Sequence, residues 1–163
     1  MFSDFFFNIL NFRNIRSIAN RISHEIGNSL NFSIMIKGFT FFANSLDRIL
    51  ALIFWRLSIL EGFESQYILK KIKHGWTVLD IGANIGFYTL QFSRKVGSEG
   101  RVFAVEPSEN NLNLLKINIK KNQINNVEVV PKAISSKSEI AKLYISEGHA
   151  GDHRIYNANN NRK

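Results

Sequence analysis

The chain has no cysteine among its 163 residues, and it has only two prolines. The absence of cysteine excludes disulfide bonds and thiolate metal sites, and it favours a reducing, cytoplasmic location. Acidic side chains are also scarce, because 13 Asp and Glu stand against 21 Lys and Arg. This basic excess is spread over both halves of the chain without a dense basic block, so it predicts a solvated surface and no nucleic-acid partner.

A run of apolar residues long enough to cross a bilayer is missing as well. The longest one, 49–55, is interrupted by Arg56, whereas a membrane-spanning helix needs about 20 apolar residues. Residues 1–60 are nevertheless rich in Phe, Ile and Leu without strict alternation, which predicts an N-terminal extension of amphipathic helices, most clearly over 44–60. We interpret this extension as a helical lid on the domain that follows. The alternative is a membrane-associated segment that makes peripheral membrane contact through residues 1–60.

Residues 61–163 alternate short apolar strands with helical patterns. The predicted strands are Thr77–Ile81, 101–106 and Val127–Val130, followed by a short strand over 142–146, and predicted helices begin near Ser65, Ile85 and Ser108. Such alternation predicts right-handed βαβ crossovers. The sequence therefore predicts a Rossmann-like α/β domain over 61–163, with a parallel sheet in the order 3-2-1.

A glycine turn follows the first of these strands. Asp80 lies at the end of the strand, and Gly82 and Gly86 come directly before a helix. Glycine allows backbone torsions that are forbidden to other residues and lets a ligand approach the main chain closely. The helix that follows directs its unpaired N–H groups over the turn. Because ligands of open α/β sheets bind at the carboxyl ends of the strands, the turn predicts a nucleotide-like ligand. An ordinary βα turn without a ligand is the alternative.

A second acid lies at the end of the next strand. Glu106 comes twenty residues after Gly86, and a carboxylate at this place can accept both hydrogens of a ribose diol. A dinucleotide is disfavoured, because Asn84 replaces a glycine of G-x-G-x-x-G and large residues, Phe87 and Tyr88, take the place of its third small residue. The chain also lacks the Gly-Lys-Ser/Thr of a P-loop. The candidate ligand that remains is an adenosine with a short, positively charged tail.

Four segments carry a resemblance to a known family. They are D-I-G-A-N-I-G-F-Y-T, V-F-A-V-E-P-S, N-V-E-V-V-P-K-A-I-S and G-D-H-R-I-Y, in that order. Together they resemble the S-adenosylmethionine-dependent methyltransferases of the FkbM family, over residues 61–156. G-A-N-I-G in place of the commoner G-x-G-x-G is itself typical of that family. The resemblance implies an enzyme with S-adenosyl-L-methionine as its cofactor and a sugar or other small hydroxylated metabolite as its methyl acceptor.

The resemblance also implies roles for individual residues. It places the methionine side of the cofactor against Asp80, Gly82, Asn84 and Gly86. It assigns the ribose hydroxyls to Glu106, and it places the adenine between Pro107 and Ser108 on one side and Ala133 and Ile134 on the other. It assigns no catalytic base. A metal site at His149 and His153 is disfavoured, since the stretch reads as a loop and the family segment that it matches is not a metal site.

The chain ends before the strands that complete the sheet in this family. We therefore expect a truncation at the C-terminus, with only the cofactor half present and the first strand left as an unpaired edge. A complementing chain would then supply the substrate half. The competing interpretation is a non-catalytic fragment or a membrane-surface-associated binding module.

Overall fold

The structure is a computed structural model of the chain, and it describes residues 32–44, 48–49, 52–53, 62–137, 140 and 142–144. Within these residues the helices and strands are, in chain order, β1 (Phe32–Ile36), β2 (Phe39–Ala43), α1 (Gly62–Lys71), β3 (Thr77–Ile81), α2 (Phe87–Val96), β4 (Arg101–Val105), α3 (Glu109–Lys121) and β5 (Val127–Val130). The predicted strands at β3 and β5 have the observed bounds. The strand predicted over 142–146 is represented in the described residues by a single β-bridge at Tyr144.

The centre of the fold is a parallel sheet in the order β3-β4-β5. Thr77 of β3 lies opposite Arg101 of β4, and Val102 of β4 lies opposite Val127 of β5. In this register the ends of the three strands meet at one edge of the sheet. The predicted Rossmann-like fold and its 3-2-1 strand order are confirmed.

One face of the sheet carries the core. Val102 and Ala104 are fully buried there, and they pack with side chains of α2 and α3 such as Val96 and Leu115. Helices on one face follow from the right-handed crossovers that join the strands. Alternate residues of β3 point to the other face, where Leu79 is 55% exposed and Ile81 59% exposed. A continuous apolar run such as β3 is typical of a strand covered on both faces, but the described residues leave this second face exposed.

The prediction of helices for the N-terminal extension is wrong over residues 32–43. These residues form an antiparallel hairpin in which β1 pairs with β2 and Phe32 lies opposite Ala43. The two-residue turn between the strands has positive φ at Lys37 (50°) and Gly38 (80°), the torsions that favour a tight hairpin. Side chains of β2 alternate between buried and half-buried positions. The alternation spans only five residues, and Lys-Gly is a weaker hairpin signal than Asn-Gly.

The hairpin packs on the outer side of the helices. Phe41 is 1% exposed, and its ring centroid lies 5.9 Å from that of Phe87 on α2. Ile49 and Leu52, which are helical, are buried in the same cluster. This part of the chain therefore shares a core with the α/β unit, so that the layers are sheet, helices and hairpin. The division at residue 60 stays a prediction.

Other predictions for the extension fall on residues 1–31 and 54–61, which lie outside the described part of the chain. The membrane-surface alternative is among them. In the part of the chain that the structure describes, no helix has the length and apolar character required to cross a membrane.

Candidate functional site

The glycine turn lies between the end of β3 and the start of α2. Gly82 and Gly86 have φ values of 80° and 94°, and Asn84 between them has a φ of 51°. The N–H groups of Gly82 and Ala83 both donate to the carbonyl of Val105, at 2.9 and 3.0 Å. Asparagine tolerates this left-handed conformation better than most residues. The turn is thus held against the end of β4 by its own backbone.

Glu106 follows β4 directly and joins the two strand ends. It is 4% exposed. Its Oε2 accepts the backbone N–H of Asn84 at 2.9 Å. Its Oε1 accepts the N–H of Ser108 at 3.0 Å and Nδ2 of Asn111 at 3.2 Å. These three donors stabilise a buried negative charge at the carboxyl ends of the strands.

Asp80 is the second buried carboxyl group at this edge, and its described partners lie on α2. Oγ1 of Thr89 donates to Oδ2 of Asp80 at 2.5 Å, and the backbone of Thr89 hydrogen-bonds to the same side chain. Gly86, at the N-cap of α2, has no side chain that could do this. The side chain of Asp80 on β3 therefore accepts a backbone hydrogen bond from the first turn of α2, where N–H groups have no partner within the helix. Burial raises the pKa of Asp80 above its ordinary value, although the Thr89 hydrogen bond opposes the shift.

The two glycines of the turn differ in their surroundings. A Cβ built on Gly82 would meet no atom of the described chain within 4 Å. A Cβ built on Gly86 would lie 2.7 Å from Cδ1 of Leu115, which is fully buried. Gly86 is therefore required for the packing of α2 against α3, whereas the space beside Gly82 is open to a ligand.

The remaining predicted site residues lie on the loops after β4 and β5. Ser108 is 1% exposed and Pro107 is half-buried, directly after Glu106. Ala133 and Ile134 follow β5 and are exposed, Ile134 by 56%. The sheet thus brings Asp80, the glycine turn and Glu106 together, and hydrogen bonds of Glu106 connect the turn with Ser108. No described contact ties Ala133 or Ile134 to them, and the assigned binding roles stay predictions.

Sequence reasoning missed three polar residues at this site, namely Thr89, Asn111 and Asn118. Asn111 and Asn118 lie on the buried face of α3 and are 1% and 0% exposed. They are seven residues apart, which is two helical turns, so they share one face of the helix. An asparagine repeated at this interval among apolar positions was the available signal. His149, His153 and the G-D-H-R-I-Y segment lie outside the described residues.

Comparison with known proteins adds a family to this geometry. A model of the methyltransferase FkbM domain matches residues 80–162, just over half of the chain. The matched range includes the glycine turn, Glu106 and the loop after β5.

Individual relatives match shorter parts of their own chains. The catalytic subunit TRM61 of the tRNA (adenine(58)-N(1))-methyltransferase of Yarrowia lipolytica is 35% identical over 74 residues, which are 44% of this chain and 19% of that protein. A probable cobalt-precorrin-6B C(15)-methyltransferase (decarboxylating) of Saccharolobus solfataricus is 33% identical over 84 residues, which are 48% of this chain and 42% of that protein. A solved structure of a SAM-dependent methyltransferase from Aquifex aeolicus is 36% identical, with a TM-score of 0.43, and the match covers 52% of this chain and 45% of that one. This chain spans less than half the length of each of these relatives.

Proposed function

The chain belongs to the family of FkbM methyltransferase domains, and on this premise we propose that it binds S-adenosylmethionine and serves in the transfer of the cofactor's methyl group. The acceptor in this proposal is a hydroxyl group of a sugar or another hydroxylated metabolite. The observation that carries the proposal is the position of the Glu106 carboxylate, which hydrogen-bonds to the backbone of the glycine turn at Asn84. The carboxylate assigned to the ribose and the turn that a ligand can approach closely thereby lie side by side.

The described residues fit this cofactor in two respects. Glu106 accepts three described hydrogen bonds, and a carboxylate has about four acceptor sites, so it has capacity for a ribose hydroxyl. The open space beside Gly82 permits contact with the main chain. When bound, the cofactor supplies a methyl group on a positively charged sulfur. The buried carboxyl groups of Asp80 and Glu106 lie at the same strand edge, where negative charge favours a cation.

The reaction is an in-line displacement at the methyl carbon. A bound S-adenosylmethionine would supply the methyl group, the acceptor oxygen would form a bond to its carbon as the carbon–sulfur bond broke, and the hydroxyl proton would leave to water or to a base. Such a step depends mainly on the alignment of oxygen, methyl carbon and sulfur. In this proposal Glu106 and the glycine turn fix the nucleoside.

Cofactor binding is tested by calorimetric titration of the folded chain with S-adenosylmethionine. Glu106→Gln removes the negative charge and turns an NH₂ group toward backbone donors, so we expect it to weaken binding by about 10- to 100-fold. The matched control is Glu109→Gln, the same change at an exposed position in the first turn of α3, which should leave the dissociation constant within about twofold. The absence of binding heat from the folded, unmutated chain would refute the proposal.

The acceptor class needs a separate assay. Two of the relatives named above are named for the methylation of tRNA adenine and of a cobalt-precorrin, whereas a hydroxyl acceptor rests on the resemblance to the FkbM family. Transfer of a radiolabelled methyl group should therefore be measured with glycans, transfer RNA and a tetrapyrrole as competing acceptors. Labelling of transfer RNA in preference to glycans would replace the hydroxyl proposal with a nucleic-acid acceptor.

A further inference from the structure

Asn118 of α3 lies between the hairpin and the glycine turn. Its side chain is fully buried. Its Nδ2 donates to the carbonyl of Ile85 at 2.8 Å, and its Oδ1 accepts the N–H of Phe42 on β2 at 2.7 Å. A carbonyl can only accept and a backbone N–H can only donate, so these partners determine the orientation of the amide. One side chain thus links the N-terminal hairpin to the turn.

The bonded carbonyl lies at a sensitive place in the turn. Ile85 stands between Asn84 and Gly86, both of which have positive φ. The N–H of Gly86 donates to the carbonyl of Ala83 at 2.8 Å, which closes the turn. The hydrogen bond from Asn118 fixes the peptide that joins Ile85 to Gly86, and this peptide leads into the first turn of α2. Its loss would release the turn at the peptide that follows the Asn84–Glu106 contact.

A second asparagine repeats the arrangement two turns earlier on α3. Oδ1 of Asn111 accepts Nη2 of Arg48 at 2.6 Å, and its Nδ2 donates to Oε1 of Glu106 at 3.2 Å. The N-terminal segment is therefore connected through α3 to both sides of the site. Asn111 links this segment to the carboxylate of Glu106, and Asn118 links it to the glycine turn.

We propose that Asn118 is a positioning residue for the glycine turn. Its hydrogen bond to the carbonyl of Ile85 holds the turn in the conformation that binds the cofactor, and its contact with β2 sets the direction of that bond. The inference rests on the proposed function for its link to S-adenosylmethionine. It makes the hairpin a functional part of the site, since β2 contributes to cofactor affinity without contacting the cofactor.

Asn122, the C-cap residue of α3, lies one turn after Asn118 and provides a matched control. Its Oδ1 accepts the N–H of Thr40 at 2.8 Å, and its Nδ2 donates to the carbonyl of Thr40 at 2.8 Å and to the backbone carbonyl of Asn118 at 2.7 Å. It therefore anchors β2 as Asn118 does, but its described partners do not include the turn. Asn118→Asp and Asn122→Asp make the same change, which keeps the acceptor and removes the donor. Only the first removes the donor to Ile85.

The test compares the two variants in two measurements. Calorimetric titration with S-adenosylmethionine should show about a tenfold or greater loss of affinity for Asn118→Asp and less than about a twofold change for Asn122→Asp. Hydrogen exchange of the ligand-free chain should show faster exchange of the Gly86 amide in Asn118→Asp only. Equal effects of both variants on affinity and on Gly86 exchange would overturn the proposal, because Asn118 would then act only as an anchor for β2.

The exchange measurement separates this inference from the proposed function. If the folded chain binds no S-adenosylmethionine, the proposed function fails. Faster Gly86 exchange in Asn118→Asp alone still supports the positioning of the turn, and equal exchange overturns it. If Asn118→Asp gives no cooperative unfolding transition, the uncharged pair Asn118→Ser and Asn122→Ser undergoes the same comparison with the same deciding outcomes.

Discussion

Replacement of Gly86 by alanine tests whether the turn is built for packing at one glycine and for a ligand at the other. A non-glycine residue in the left-handed region costs about 1–2 kcal/mol, and Gly86 has a φ of 94°. The new Cβ would also lie 2.7 Å from Cδ1 of Leu115, and overpacking of a core costs about 1–3 kcal/mol. We expect Gly86→Ala to lower the free energy of unfolding by about 2–5 kcal/mol, a large share of the about 5–15 kcal/mol typical of a domain.

Gly82→Ala is the control for the steric part of this cost. Gly82 has a φ of 80°, and a methyl group on its Cα would meet no described atom within 4 Å, so only the backbone strain of about 1–2 kcal/mol applies. The methyl group would instead occupy the space beside the turn, and we expect it to weaken S-adenosylmethionine binding by about tenfold, or ~1.4 kcal/mol. Gly82→Ala should therefore destabilise the chain less than Gly86→Ala does, although it weakens S-adenosylmethionine binding.

Urea denaturation followed by circular dichroism gives the free energies, provided that the slope with denaturant is the same for all three chains. Calorimetric titration of the folded variants gives the affinities. The reasoning is refuted if Gly82→Ala destabilises the chain as much as Gly86→Ala, because the contact with Leu115 would then contribute nothing.

Three further changes test the buried carboxyl group and the hairpin. Because burial raises the pKa of Asp80, its native state holds the proton more tightly than the unfolded chain does. Wild type should therefore lose stability relative to Asp80→Asn as the pH rises above 3.8 and through the raised pKa, and a relative gain in urea denaturation over this range would contradict the assigned cause. Thr89→Val removes the hydroxyl that donates to Asp80 and should lower the free energy of unfolding by about 1–3 kcal/mol. The control Thr77→Val, at an exposed position of β3, should change it by no more than about 0.5 kcal/mol. Equal free energies of unfolding for these two variants would argue against the hydrogen bond. Phe41→Ala should cost about 3–5 kcal/mol in the same assay, because Phe41 is 1% exposed, and Phe32→Ala, at 43% exposure, should cost about 1 kcal/mol or less. A near-native stability of Phe41→Ala would mean that the hairpin is a separable lid.

The α/β part of the fold follows from local signals in the sequence. The strands β3 and β5 are short apolar runs between turn residues, and each helix repeats apolar residues at three- and four-residue intervals. Right-handed crossovers then leave one arrangement of the three strands. The glycine turn and Glu106 were predictable for the same reason, since consecutive strand ends must meet at one edge of the sheet.

The hairpin was not predictable in this way. Its five-residue strands carry Phe, Ile and Met as a helix also would, and the alternation in β2 became meaningful only when Phe39 and Phe41 met the outer side of the helices. Sheet preference depends on what a strand packs against, so tertiary contacts decide it. The helical interpretation of residues 32–43 failed for this reason.

By itself the sequence determined the strand order, the place of the glycine turn and the presence of an acid at each of two strand ends, because all of these depend on neighbours in the chain and on chirality. Only the tertiary structure decided how the two acids differ: Asp80 accepts from Thr89 on α2, and Glu106 accepts from the turn. It also decided that Asn118 joins the hairpin to the turn across 76 residues of chain on one side and 33 on the other. The seven-residue spacing of Asn111 and Asn118 marks one face of a helix, but packing alone brings the distant partners of these side chains into reach.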